Sequence, residues 1–202
     1  GFYDGETAAL IEQEMLSNDG LITTEDLKNY RAVERTALEG TYRGHDVISM
    51  PPPSSGGVHV IQMLNILEGD DLAALGHNTA DYIALLVETM RRAYADRSEY
   101  LGDPDFFDVP IDALTDKDYA ARLRGQIDPM KASLSSDVKP GLGPVDESPE
   151  TTHYSVVDKD GNAVSATTTL NFFFGSGYSV DGAGFVLNNE MDDFSAKPGA
   201  PN

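Results

Sequence analysis

Cysteine is absent from all 202 residues, which excludes disulfides, thiol nucleophiles and thiolate metal sites together and leaves redox chemistry no guide to compartment. Cations are scarce: 14 Lys and Arg stand against 34 Asp and Glu, a formal charge of −20. A surface of that sign repels phosphate backbones and anionic lipid, which argues against nucleic acid and an anionic membrane as partners. Long hydrophobic runs are missing too. The longest, around Tyr82 to Val87, falls far short of the ~20 apolar residues a spanning helix needs, so no integral membrane segment is expected. Metal-ligand spacing is equally lacking. His45, His59, His77 and His153 form neither HExxH nor an i, i+4 pair. Asp158-Lys159-Asp160-Gly161-Asn162 opens like a calcium loop, but its Gly comes too early and the terminal Glu is missing. Gly175-Ser176-Gly177 lacks the third Gly and the following helix of a dinucleotide fingerprint, and neither GxxxxGK nor a GxSxG elbow occurs. No metal and no cofactor is expected.

What is present reads as helices first and strands last. Thr7 to Leu16 has helical spacing and stops at Asn18-Asp19-Gly20. Thr23-x-x-Asp26 is a capping box opening a short helix to about Tyr30. Val33 to Leu38 and Tyr42 to Met50 predict a hairpin turning at Glu39-Gly40. Pro51-Pro52-Pro53-Ser54-Ser55-Gly56-Gly57 leads into a helix carrying Val58, Ile61, Met63, Leu64 and Leu67. A longer helix runs from Thr79 as N-cap to about Tyr100, with Tyr82, Leu85, Leu86, Met90 and Ala93 on one side. Thr115-x-x-Asp118 predicts the start of another. Residues 129–150, rich in Pro and Gly, predict a long mobile loop. Beyond it, 152–157 and 163–170 alternate about Lys159-Asp160-Gly161-Asn162 as a hairpin, and 185–187 predicts a further short strand. The ends, Gly1-Phe2-Tyr3-Asp4 and Lys197-Pro198-Gly199-Ala200-Pro201-Asn202, show neither a leader pattern nor a closing element and read as cuts through a longer chain.

Thr151-Thr152-His153-Tyr154-Ser155 lies where the loop meets the β region. By itself a Thr pair opening a strand is ordinary, because Thr favours strands. A Thr hydroxyl is a weak nucleophile, and spacing assembles no His-Asp relay here. One solution fits the position: a Thr freed as a chain N-terminus uses its own α-amine as general base. An α-amine with pKa near ~7.7–8.0 is suited to proton transfer around neutrality. The chain would first have to cut its own backbone before the Thr, and a long loop ending at Glu150 gives the severed end room to move.

At these residues the chain resembles the γ-glutamyltranspeptidase family. The resemblance rests on Thr151 to Asp158, Gly161 to Ser165, Thr169-Leu170-Asn171, Phe174-Gly175 and Leu187 to Ser195. Upstream it extends through Met50 to Gly57 and Tyr94 to Pro104, so it runs essentially end to end. It implies an α+β fold, part of the αββα sandwich of N-terminal-nucleophile hydrolases. It also implies a precursor that splits between Glu150 and Thr151, with 1–150 belonging to the large subunit and 151–202 to the small one. Thr151 would be the nucleophile in self-cleavage and turnover, and Thr169 the second Thr that hydrogen-bonds it. Asn171, Glu190 and Asp193 would hold the substrate's α-amino acid head. The substrate would be a glutathione-like γ-glutamyl amide, transferred through a Thr ester.

The family's carboxylate-clamping Arg comes from a region before Gly1. Its Gly-Gly oxyanion donors and paired Ser ligands come from segments after Asn202. Residues 1–202 alone are therefore expected to be an internal piece without useful turnover, uncut, and prone to self-association through unpaired sheet edges. The parent is expected to be exported to the periplasm or outside the cell. Two other readings stay open: a relative that processes poly-γ-glutamate or acyl β-lactams, and a non-catalytic acidic binding module that keeps the fold.

Overall fold

The computed structural model describes residues 1–139 and 151–194. In chain order its elements are helices α1 (Glu6–Ser17) and α2 (Thr24–Asn29), strands β1 (Leu38–Tyr42) and β2 (His45–Ser49), and helices α3 (Gly56–Leu67), α4 (Leu72–Leu75), α5 (Ala80–Tyr100), α6 (Ile111–Leu114) and α7 (Lys117–Gly125). Strands β3 (Thr151–Val157) and β4 (Ala163–Thr169) and a 3₁₀ turn, Glu190–Asp193, complete the set. The chain is thus a mixture of helix and strand, α+β in composition. None of its described helices is long and apolar enough to cross a membrane.

The described residues form two compact units, one of 1–34 with 151–194 and one of 35–139. In the first unit α1 buries Ala8 and Ile11. The capping box is realised in full: Asp26 N donates to Thr23 Oγ1, and Thr23 N donates to Asp26 Oδ2. Glu12 on α1 accepts from both Thr24 N and Thr24 Oγ1, which fixes the start of α2 against α1. Leu10 lies under Gly182, and the Phe2 ring packs 5.7 Å from that of Phe185. The N-terminal helices and the C-terminal β region therefore share one body.

In the second unit α3 is the central element, with Val58, Ile61, Gln62 and Ile66 almost fully buried. Ile66, Leu67, Leu85, Ala120, Leu123 and Ile127 pack α3, α5 and α7 together. Val58, Leu101 and Leu114 form a second cluster with Leu38 and Tyr100 around it. Glu88, Arg92 and Asp96, spaced by four on α5, are buried as well. Of the apolar side expected there, Leu85 and Ala93 are buried and Leu86 packs against the core, whereas Tyr82 is half-buried and Met90 exposed.

Three expectations shift. The first hairpin turns at Arg43-Gly44, both at positive φ, and pairs Leu38 with Ser49 through Tyr42 with His45. Gly40 lies inside β1 because Ile61 packs on it, where a Cβ would come within 2.9 Å of Ile61 Cγ2. The cap of α7 is Asp116, which accepts from Tyr119 N, while Thr115 Oγ1 donates to Ile111 O and so closes α6. Near 185–187 the strand is reduced to a single bridge between Ser179 and Val186. Of the long loop, 129–139 is irregular but tied to α5: Arg91 Nη1 donates to Ser135 Oγ and Ser133 N donates to Glu88 Oε1. Residues 140–150 lie outside the described residues.

Candidate active site

The site expected from the sequence lies in the first unit, on β3, β4 and the irregular chain that follows. A turn at 158–162 sets the register. Asp158 Oδ1 accepts from Asp160 N and Asn162 N, and Oδ2 accepts from Asn162 Nδ2. These donors, with Gly161, hold the Asp158 carboxyl below the usual range. The turn pairs Thr151 with Thr169, His153 with Thr167 and Ser155 with Ser165. Because side chains alternate along a strand, His153, Ser155, Ser165, Thr167 and Thr169 share one face of the ribbon. On that face His153 Nδ1 lies 2.8 Å from Thr167 Oγ1, and Nε2 lies 3.0 Å from Ser165 Oγ. The strand therefore begins at Thr151 directly across from Thr169, beside a row of hydroxyls organised by one imidazole.

Past Thr169 the chain leaves the strand sharply. Thr169 Oγ1 accepts from Asn171 N at 2.9 Å, and Asn171 takes φ +71, the left-handed region that Asn tolerates better than most residues. Its side chain turns inward, only 7% exposed, and Nδ2 donates to Asn189 O at 3.2 Å. Asn189 N donates to Leu170 O, and Phe172 N donates to Asn189 Oδ1. Gly175, at φ +53, backs against the same segment, where a Cβ would fall 2.2 Å from Leu187 O. Only glycine fits there.

Asn189 leads into the 3₁₀ turn. With three residues per turn, Glu190 and Asp193 fall on the same side of it. Burial pushes the Glu190 carboxyl up, and the neighbouring Asp193 charge adds to the effect. Glu190 Oε1 is buried without a hydrogen-bond partner among the described residues. Such a corner suits a small cationic group carrying several N–H donors.

Of the residues singled out in the sequence, Thr151 and Thr169 pair across the ribbon, Asn171 is joined to Thr169, and Glu190 and Asp193 share the turn linked to Asn171 through Asn189. Glu150 lies outside the described residues. Sequence reasoning missed Asn189 as the link; a Leu-Asn-Asn-Glu run among irregular residues carries no periodic signal. It also passed over His153, although alternation back from Thr169 through its cross-strand partner Thr167 places it on the same face of the ribbon. A cleft of about 660 Å³ in the second unit, lined by Asp81, Leu85, Arg91, Arg124 and Met130 among others, contains none of these site residues. No group of three or more His, Asp or Glu is placed to hold a metal ion among the described residues.

A family model described as Gamma-glutamyltranspeptidase matches residues 1–202. The Glutathione hydrolase proenzyme of Escherichia coli (strain K12) is 58% identical over 201 residues, covering 100% of this chain and 35% of that protein. The crystal structure of Helicobacter pylori gamma-glutamyltranspeptidase is similar at a TM-score of 0.66 and 49% identity, over 73% of this chain and 42% of that one. Cephalosporin acylase from Bacillus halodurans is similar at a TM-score of 0.77 and 28% identity, over 98% of this chain and 34% of that one. The chain thus spans 35% of the length of the first curated relatives it matches. Matched from end to end by the family model, and carrying the Thr151–Thr169 pair beside the Asn171–Asn189 link to an acidic turn, the chain belongs to the gamma-glutamyltranspeptidase family.

Proposed function

We propose that this chain is the processing junction and part of the donor site of a γ-glutamyl transferase and glutathione hydrolase. The observation that carries the reading is the register that opens β3 at Thr151 opposite Thr169, with the acidic turn tied to the next residues of the same chain. In maturation the Thr151 hydroxyl attacks the Glu150 carbonyl carbon and the C–N bond opens to an ester. Water then hydrolyses that ester, leaving a Glu150 carboxylate and a free Thr151 α-amine. In turnover this amine takes the hydroxyl proton while Oγ attacks the donor's γ-carbonyl. The donor's amide C–N bond breaks, the proton goes to the leaving amine, and a γ-glutamyl ester remains on Thr151. Water or an acceptor amine attacks the ester carbonyl, releasing the γ-glutamyl product and restoring the hydroxyl. Thr169 orients the nucleophile, while Asn171, Glu190 and Asp193 hold the donor's α-amino end.

In this reading 1–150 comes from the large subunit and 151–202 from the small one, and β3–β4 contributes to an αββα sandwich. Packing of 1–34 with 151–194 in one body supports retention of both pieces after the cut. The oxyanion donors and the carboxylate clamp are supplied by other parts of the enzyme, so turnover belongs to the whole protein and not to residues 1–202 alone. The parent acts after export. By themselves these residues self-associate through the open edges of the β3–β4 ribbon, and a monomeric mass by light scattering at high concentration would refute that step.

The deciding experiment is Thr151→Ala in the whole protein, read by denaturing gel and by release of p-nitroaniline from γ-glutamyl p-nitroanilide. An unprocessed, inactive chain is expected; processing and turnover at parental rates would overturn the assignment. A second reading, hydrolysis of the acyl side chain of a β-lactam, is favoured by the likeness to the Bacillus halodurans acylase. The paired carboxylates argue for a donor bearing a free amine, and a comparison of kcat/KM for the two donor classes separates the readings.

A further inference from the structure

The end of β4 and the acidic turn are linked across as few as 17 residues of sequence, and no regular element joins them among the described residues. Among the described residues three hydrogen bonds join 170–172 directly to the start of the turn, and each involves Asn189. Its N–H donates to Leu170 O at 3.1 Å, its O accepts from Asn171 Nδ2 at 3.2 Å, and its Oδ1 accepts from Phe172 N at 3.1 Å. The same Asn189 O also accepts from Asp192 N at 3.0 Å, the bond that closes the 3₁₀ turn. One residue therefore belongs at once to the strand exit that carries Thr169 and Asn171 and to the turn that carries Glu190 and Asp193. We propose that Asn189 is a positioning residue that sets the spacing between the nucleophile's strand and the acidic corner, and so fixes selectivity for a donor with a free α-amino group.

Both ends that Asn189 joins are irregular; the bonds of Leu187 to Ser176 and Tyr178 hold the segment before it, but they reach neither Phe172 nor the turn, whose spacing from Asn171 is set at Asn189. The backbone bond to Leu170 survives any side-chain substitution, but the Phe172 N–H depends on Asn189 Oδ1 alone among the bonds described. Without that acceptor, Phe172 N–H is left unpaired and the chain after Asn171 is released on one side. Glu190 and Asp193 would keep their charge but lose their fixed distance from the reacting carbonyl. Donor positioning through the α-amine should then suffer, while the chemistry of Thr151 should not.

This role for Asn189 rests on the donor site proposed above. It is tested in the whole protein with two donors, γ-glutamyl p-nitroanilide and glutaryl p-nitroanilide, which differ only in the α-amino group. Asn189→Leu removes the acceptor, and Asn189→Asp keeps an oxygen for Phe172 N–H. The Leu variant should process normally, raise KM for the γ-glutamyl donor about tenfold with little change in kcat, and lower the γ-glutamyl to glutaryl ratio of kcat/KM by about the same factor. Asn189→Asp should restore most of the ratio that the Leu variant loses. A parental ratio in Asn189→Leu, or an equal loss with both donors, would overturn the proposal. If the Leu variant does not accumulate, Asn189→Ser, whose oxygen is too short to reach, takes its place with the same expected fall. A parent that does not prefer the γ-glutamyl donor would instead sink the donor-site reading itself, so the two failures are distinguishable.

Discussion

The buried pair Glu88–Arg92 gives a sharp test of how the second unit is held. Each residue is only 4% exposed, and Arg92 Nη1 donates to Glu88 Oε2 at 2.8 Å. Arg92 Nη2 also donates to Gln126 O beyond α7, while Glu88 Oε1 accepts from Ser133 N. The pair pegs α5 to two later stretches of chain. Removing Glu88 strands the buried Arg92 charge, and removing Arg92 leaves buried Glu88 only the longer 3.6 Å contact to Arg91 Nε, each at a cost of about 3–5 kcal/mol; removing both and filling the space with apolar side chains is often close to neutral. Here Gln126 O and Ser133 N would each lose one hydrogen bond, about 1 kcal/mol apiece. Glu88→Leu and Arg92→Met should therefore each cost about 3–5 kcal/mol, and the double variant only about 2. Equilibrium urea unfolding followed by circular dichroism measures all three. Additive costs, or single variants within about 1 kcal/mol of the parent, would refute the reasoning. The pH dependence has a definite sign. Burial pushes the Glu88 carboxyl up, but the Ser133 and Arg92 hydrogen bonds outweigh it and leave the group below its usual range. Its stabilisation is complete above the unfolded pKa of about 4.3 and is lost as pH falls through the folded value. The double variant should lose stability less steeply in acid.

Asp96 should behave in the opposite way. It is fully buried, and burial raises its carboxyl despite hydrogen bonds from Tyr119 and Gln62. Stability should therefore fall as pH rises from the unfolded value of about 3.9 through the folded one, and Asp96→Asn should abolish that slope in urea unfolding measured across the range; an unchanged slope would rule Asp96 out as its source. Gly175→Ala adds a Cβ 2.2 Å from Leu187 O at a left-handed φ, so a loss of about 3 kcal/mol or more is expected. In the whole enzyme it should displace Asn188 and the acidic turn and raise donor KM; a parental KM and unfolding midpoint would contradict the close approach.

Much of the helical frame was legible because its signals are local. Thr23 with Asp26 and Thr79 before Ala80 cap helices where the chain itself supplies the partner N–H. The misplaced hairpin shows where local reading fails. Glu39-Gly40 reads as a turn by composition, but Ile61 packs on Gly40 inside the strand, and Arg43 N donates to Glu68 Oε1 where the chain does turn. Both contacts exist only once α3 has packed. The same holds for α5, where apolar counting assigns Glu88, Arg92 and Asp96 to solvent because charge ordinarily seeks water. Their i, i+4 spacing is visible, with Glu preceding Arg, but it fits an exposed pair equally well. What buries them is the arrival of Ser133, Gln126, Gln62 and Tyr119 from elsewhere in the chain.

The candidate site divides along the same line. Its ribbon could be reasoned out from the turn at 158–162, because register then follows by counting and brings Thr151 opposite Thr169. The acidic corner could not, because its position depends on a left-handed Asn171 and on polar bonds through Asn189 that have no period. Motif resemblance supplied the residue names there without the reason they converge. The physical reason is that irregular backbone must satisfy its N–H and C=O groups case by case. Along 169–177 and 187–190 it does so with Thr169, Ser176, Asn188 and Asn189 side chains as well as the main chain. Each of these side chains serves a particular backbone group, so few substitutions can replace it. Exposed turn residues such as Lys159 and Asp160 carry no such duty. Tolerance to change should thus fall from the tip of the ribbon towards its exit, in step with how many backbone groups depend on each side chain.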